Sequence, residues 1–225
     1  EIIYNGKSVK YRNPSEARKD GISMVFQNLS LVPDLTVWQN IVLGAEQKNG
    51  FFLDNNHAKK LSKEILSQLL PDLDINKKIN ELNPGEMQIV EIAKAISENP
   101  QLLILDEPTA ALEQVQVKSL FHSMRNLAER GIAMIFTSHR LWEVMEICDD
   151  VTIFRNGENV ANIDFAKDGR DPEKIVSYIT GEIQKVSGEK KLTVNTNEIV
   201  LKISNLNYGK VLKNISFELR KGEIL

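Results

Sequence analysis

The octad Leu102-Leu103-Ile104-Leu105-Asp106-Glu107-Pro108-Thr109 runs four consecutive apolar residues into two adjacent carboxylates. The apolar run suits a strand covered on both faces, and open α/β sheets place ligands at the C-terminal ends of such strands. Two neighbouring acids can share work that one cannot easily do alone. Asp106 would hold a divalent cation such as Mg²⁺, directly or through water, while Glu107 would orient and deprotonate an attacking water. That division of labour would serve a nucleotide-hydrolysing site. The plainer alternative is a strand running into an acidic helix start ahead of a proline.

Three further segments supply polar groups for the same chemistry. Asn83-Pro84-Gly85-Glu86, within Leu82 to Gln88, precedes Ile89, Ile92, Ala93 and Ile96 at helical spacing. A small, glycine-containing turn feeding a helix offers free backbone N–H groups and the positive end of a dipole to a phosphate; a simple helix cap is the alternative. The strand pattern Ile132 to Phe136 ends in Thr137-Ser138-His139, which puts His139 at the edge shared with Asp106 and Glu107 if the strands are parallel neighbours. A neutral imidazole there could bond both a terminal phosphate and the catalytic carboxylate. Gln27 follows the strand ending at Phe26, whereas His57 and His122 read as surface residues. Gly6-Lys7-Ser8 imitates the end of a G-x-x-x-x-G-K-[ST] phosphate loop, but Glu1 occupies the place of its first glycine and no helix pattern follows.

The elements that must position these groups can be read from periodicity. Asn5-Gly6 joins two short strands as a hairpin turn. Asn13-Pro14 opens a short helix that Gly21 closes, and Ile22 to Phe26 is a strand. From Gln27 to about Pro100 the pattern is mostly helical, with a capping box at Thr36-x-x-Gln39 and with Leu61, Ile65, Leu66 and Leu69 at helical spacing. Val117, Leu120, Phe121, Met124 and Leu127 mark one apolar helix face, closed by Gly131. Strands alternating with helices predict an α/β fold with a mostly parallel sheet. Val151 to Phe154 and the Asn156-Gly157 turn predict another hairpin. Ile199 to Ile203 and Ile215 to Leu219, around Tyr208-Gly209-Lys210, read as fresh β-structure after a polar stretch.

The 225 residues are 42% hydrophobic and 26% charged, with a net charge of −3. That composition fits a globular chain and gives no electrostatic case for a nucleic-acid partner or an anionic membrane surface. The single cysteine, Cys148, excludes a disulfide framework and reads as core filler in a reducing compartment. No stretch has the apolar length of a membrane span, so a cytosolic or peripheral location is expected. The chain starts at Glu1 and stops at Leu225 inside strand patterns, which suggests a fragment.

Taken in order, these segments resemble the ATP-binding-cassette ATPases. The resemblance makes Gln27 the Q-loop glutamine, Leu82 to Gln88 the signature segment, Asp106 the Walker B aspartate, Glu107 the catalytic glutamate, Thr109 to Glu113 the D-loop and His139 the switch histidine. Gly21 to Gln27, Leu31 to Gly44, Val90 to Ala95 and Ile147 to Arg155 are similar to the first cassette of monosaccharide importers of the ribose, galactose and xylose type, which carry two cassettes in one polypeptide. The resemblance implies a P-loop NTPase-like cassette over residues 1–180 with a helical subdomain at about 28–100, a linker at 181–198, and the opening strands of a second cassette at 199–225. It implies ATP and Mg²⁺ as ligands, with Asp106 and Gln27 serving the metal, Glu107 and His139 catalysis, and Asn83, Pro84, Gly85 and Glu86 the nucleotide. It further implies transmembrane permease subunits and, indirectly, an extracytoplasmic sugar-binding protein as partners at the cytoplasmic face of the membrane. A non-transport cassette acting on ribosomes or DNA is the alternative within the family. Two departures stand out: the family has Ser at the position of Asn83 and typically Gly at that of Pro84, and no phosphate loop occurs within the 225 residues. These residues alone are therefore expected to bind ATP weakly or not at all.

Overall fold

The structure, a computed structural model, describes residues 1–45, 48–49, 52–181, 198–209 and 212–223. They divide into two compact units, Glu1–Thr180 and Gly181–Leu225. The first unit opens with β1 (Ile2–Tyr4) and β2 (Lys7–Val9), paired antiparallel across Asn5-Gly6. Both turn residues have positive φ, 49° and 73°, the twist a two-residue hairpin turn requires. Lys7 and Ser8 are therefore strand residues of a hairpin, in keeping with the sequence context that argued against a phosphate loop.

Helix α1 (Pro14–Lys19) starts where the Asn13 side chain accepts the Glu16 N–H and Pro14 presets the first turn. Strand β3 (Ile22–Val25) follows, then α2 (Val37–Val42), opened by the expected Thr36/Gln39 capping box. The short antiparallel pair β4 (Lys48–Asn49) and β5 (Phe52–Leu53) precedes α3 (Asn55–Leu69), a 3₁₀ turn at Ile79–Glu81, and α4 (Pro84–Ser97). Next come β6 (Leu102–Asp106), α5 (Gln114–Glu129), β7 (Ala133–Thr137) and α6 (Leu141–Ile147). The unit ends with the hairpin β8 (Asp150–Arg155) and β9 (Glu158–Asp164), then α7 (Phe165–Asp168) and α8 (Pro172–Thr180).

Strands β3, β6 and β7 form a parallel sheet in that order, with Val25 opposite Leu105 and Leu105 opposite Phe136. One face is closed: Leu103 and Leu105 are 1% and 0% exposed and join Val25, Ile41, Leu66, Leu69, Ile89 and Ile92 in the main core. The predicted apolar stripe of α5 is buried there in full. The expectation that β6 is covered on both faces needs correcting. Side chains alternate across the pleat, so Leu102 and Ile104 emerge on the other face. They are only half-buried, and Ile135 beside them is 50% exposed. Among the described residues the core cluster builds on the first face alone.

A second cluster, around Ile153, Ile163, Phe165 and Ile175, takes in Cys148 as a half-buried member. Burial, reinforced by neighbouring Asp149, pushes its thiol pKa up, which suits packing rather than reactivity. In the second unit β10 (Ile199–Tyr208) pairs antiparallel with β11 (Leu212–Arg220). The two short strands read from sequence are thus longer and continuous. Register irregularities between Ile203 and Tyr208 let them continue, and Asn205 and Asn214, at φ 53° and 54°, absorb the local twist. Most of the expected linker, residues 182–197, lies outside the described residues.

Candidate functional site

Parallel pairing puts the C-terminal ends of β3, β6 and β7 on one edge. Asp106, the last residue of β6, stands opposite Thr137, the last of β7. The Thr137 hydroxyl donates to Asp106 Oδ1 at 2.7 Å and accepts the Glu107 N–H at 3.0 Å. Glu107 itself turns left-handed, with φ 46°. For a residue with a side chain that conformation costs about 1–3 kcal/mol and persists only where neighbours hold it. Here the Thr137 bond does the holding. Glu107 Oε1 lies 3.4 Å from His139 Nδ1, with the side chains 32% and 63% exposed, so the pair is open to a reactant.

The other predicted residues are placed less directly. Gln27 is exposed two residues beyond β3, on the same sheet edge by the Val25–Leu105 register, but no hydrogen bond joins it to Asp106 or Glu107 among the described residues. Asn83 caps α4: its Oδ1 accepts the Glu86 N–H at 2.9 Å, and Glu86 Oε2 accepts the Asn83 N–H at 2.8 Å. Pro84 sits at the first helical position, where its missing N–H costs no helical bond. The Met87 N–H goes to the Asn83 carbonyl. Of the opening N–H groups, that of Gly85 alone keeps no acceptor among the described residues. The cap is therefore formed, and what remains for a phosphate is narrower than the sequence suggested. Gly85 is buried, and a Cβ there would stand 2.8 Å from Gln116 Oε1 and 3.2 Å from the Ala111 carbonyl. This turn thus abuts the loop that follows Glu107.

Among the described residues no three His, Cys, Asp or Glu side chains converge as a metal cage. A single carboxylate nonetheless suits Mg²⁺, which takes one or two protein oxygens and completes its shell with substrate phosphates and water. Asp106 keeps one oxygen that Thr137 does not use. Sequence reasoning named Thr137 only as a neighbour of His139 and missed Glu143, a buried carboxylate under the same loops. Thr137 was detectable in principle, as a hydroxyl residue ending the strand beside Asp106; nothing in the sequence around Glu143 singles it out.

The family model described as ABC transporter matches residues 1–110. The ribose import ATP-binding protein RbsA of Clostridium tetani is 37% identical over 227 residues, covering 100% of this chain and 44% of that protein. Residues 1–110 carry the domain of the ABC transporter family. The galactose/methyl galactoside import ATP-binding protein MglA of Escherichia coli is 34% identical over 226 residues, again across 100% of this chain and 44% of the relative. The chain thus spans less than half the length of the curated relatives it matches. Among solved structures, the ADP conformation of an ATP-binding cassette of an ABC transporter aligns with a TM-score of 0.64 at 26% identity, over 80% of this chain and 76% of that one. A nucleotide-free cassette aligns with a TM-score of 0.65 at 23% identity, a likeness of fold. The ABC cassette fold, α/β with a parallel sheet and packed helices, is the architecture of this chain.

Proposed function

We propose that the protein containing this ABC cassette is the ATP-hydrolysing subunit of an importer for a monosaccharide. The observation that carries the chemistry is the Glu107–His139 contact, built on the Asp106–Thr137 bond at one sheet edge. Glu107 Oε2 is left to take the proton of an attacking water while Oε1 faces the histidine. His139 faces Glu107 through Nδ1 and keeps Nε2 for a terminal phosphate. A bound Mg²⁺, held by Asp106 with Gln27 nearby, would supply charge neutralisation between the phosphates. The turn at Asn83, Pro84, Gly85 and Glu86 is assigned to nucleotide contact through the Gly85 N–H.

The sugar-import names of RbsA and MglA support the transport role, and the neutral-to-acidic charge weighs against a cassette acting on nucleic acid. No helix among the described residues is long and apolar enough to cross a membrane. Transmembrane permease subunits, an extracytoplasmic sugar-binding protein acting through them, and a second cassette in the same polypeptide, opening at β10 and β11, complete the proposal. Its place is the cytoplasmic face of the membrane. For the 225 residues by themselves we infer only weak ATP binding.

Glu107→Gln in the full-length protein tests the reading. Phosphate release is expected to fall by about 10²- to 10⁴-fold, the range for a lost general base, with ATP binding retained. Hydrolysis at the wild-type rate would refute the assignment.

A further inference from the structure

We propose that Glu143 is a positioning residue for the hydrolytic pair, acting as a buried strut between the loop that follows Glu107 and the loop that carries His139; this rests on the reading of that pair given above. The Glu143 side chain is 0% exposed. A carboxylate taken wholly out of water costs several kcal/mol unless its lone pairs are satisfied, so its partners define why it is there. Oε2 accepts the Thr109 hydroxyl at 2.7 Å and the Ser138 hydroxyl at 2.6 Å. Oε1 lies 3.3 Å from Arg140 Nη1. Thr109 is two residues beyond Glu107, and Ser138 immediately precedes His139.

Glu143 occupies the first turn of α6, where an acid commonly serves its own helix. It does not do so here. The Arg140 N–H at the head of α6 goes to Ser138 Oγ at 3.0 Å, and the Arg140 guanidinium also reaches the Thr109 carbonyl at 3.5 Å. Every side-chain bond of Glu143 runs to the two loops or to Arg140. Thr137 ties the loops where the strands end; Glu143 ties them again, one residue ahead of His139 and two beyond Glu107. Two ties fix the relative orientation of two loops where one would leave a pivot, and the 3.4 Å Glu107–His139 approach depends on that orientation.

Glutamine at this position keeps the shape but has one acceptor oxygen in place of two. Its amide must face either the Arg140 guanidinium, which has no acceptor to offer, or the two hydroxyls, which then lose the oxygen that both donate to. In the full-length protein E143Q is expected to lower kcat for ATP hydrolysis by about 10- to 100-fold, the cost of a small misplacement of reacting groups, while KM for ATP changes by less than about threefold. The double variant T109V/S138A should reproduce the kcat loss, and adding E143Q to it should cause little more, because all three act through one strut. If E143Q does not fold, as judged by circular dichroism, T109V/S138A carries the test alone. Wild-type kcat in E143Q and in T109V/S138A, with E107Q inactive, overturns this proposal and leaves the hydrolytic reading standing. An equal rise in KM with kcat unchanged overturns it as well, since that pattern belongs to binding. Wild-type hydrolysis by E107Q removes the pair itself and both proposals with it.

Discussion

At the scale of single residues, one hydroxyl does more than its position in the chain suggests. Thr137 has one donor and spends it on Asp106, leaving its lone pairs for the Glu107 N–H. Valine would keep the β-branched shape that suits a strand end but remove both bonds. We expect Thr137→Val to destabilise the full-length protein by about 1 kcal/mol, the usual net worth of one hydrogen bond, since water can reach the exposed site. With the hold on the left-handed Glu107 backbone gone, kcat for ATP should fall by about tenfold, a loss of roughly 1.4 kcal/mol from the transition state, and half-saturation by Mg²⁺ should move to higher concentration. Thr137→Ser should restore both. A Mg²⁺ titration of phosphate release checks this, and identical curves for Val and wild type would show that the hydroxyl is dispensable.

At the scale of elements, the start of α4 meets the loop before α5 through Gly85. The Gln116 oxygen that a Cβ would strike is already engaged, accepting the Glu113 N–H at 3.0 Å, and the Ala111 carbonyl is backbone and yields less easily. Gly85→Ala is therefore expected to cost about 1–3 kcal/mol, the usual penalty for forcing an extra carbon into a packed contact, despite alanine's better helix propensity. Urea unfolding of the full-length protein should show a lower midpoint; a higher one would mean propensity wins. The features legible in the sequence were those set by neighbours along the chain: the Thr36/Gln39 and Asn13 caps, the Asn5-Gly6 hairpin, and the buried stripe of α5. The less legible ones depend on residues brought together by folding. Glu143 carries no signal of its own because nothing nearby in sequence reveals that Thr109 lies over it. Ile104 looked doubly buried because an apolar run does not say which face finds a partner. Of the site, Asp106, Glu107 and His139 could be read from strand ends and parallel pairing, while the orientation that makes them a pair could not.

At the scale of the whole molecule, nucleotide affinity in this fold rests on backbone N–H groups that wrap the phosphates and on a lysine that reaches them. The 225 residues contain no G-x-x-x-x-G-K-[ST], and their nearest imitation is spent on the β1–β2 hairpin. Titration calorimetry of MgATP into residues 1–225 is expected to give no saturable heat below the millimolar range, where weak association energies of about 4 kcal/mol lie. Micromolar binding would place a phosphate cradle where we see none. The sheet register has a further consequence, which concerns time. Leu105 pairs with Phe136 across the single helix α5, whereas Val25 reaches Leu105 only after α2, α3 and α4 have been bridged. Closing the shorter loop loses less chain entropy, and near contacts form sooner than distant ones. The segment from β6 to β7 can therefore bring Glu107 and His139 together as an early, self-contained event, with the edge bearing Gln27 arriving later. In a refolding chain Glu107 and His139 would be juxtaposed before the strand that completes their surroundings has docked.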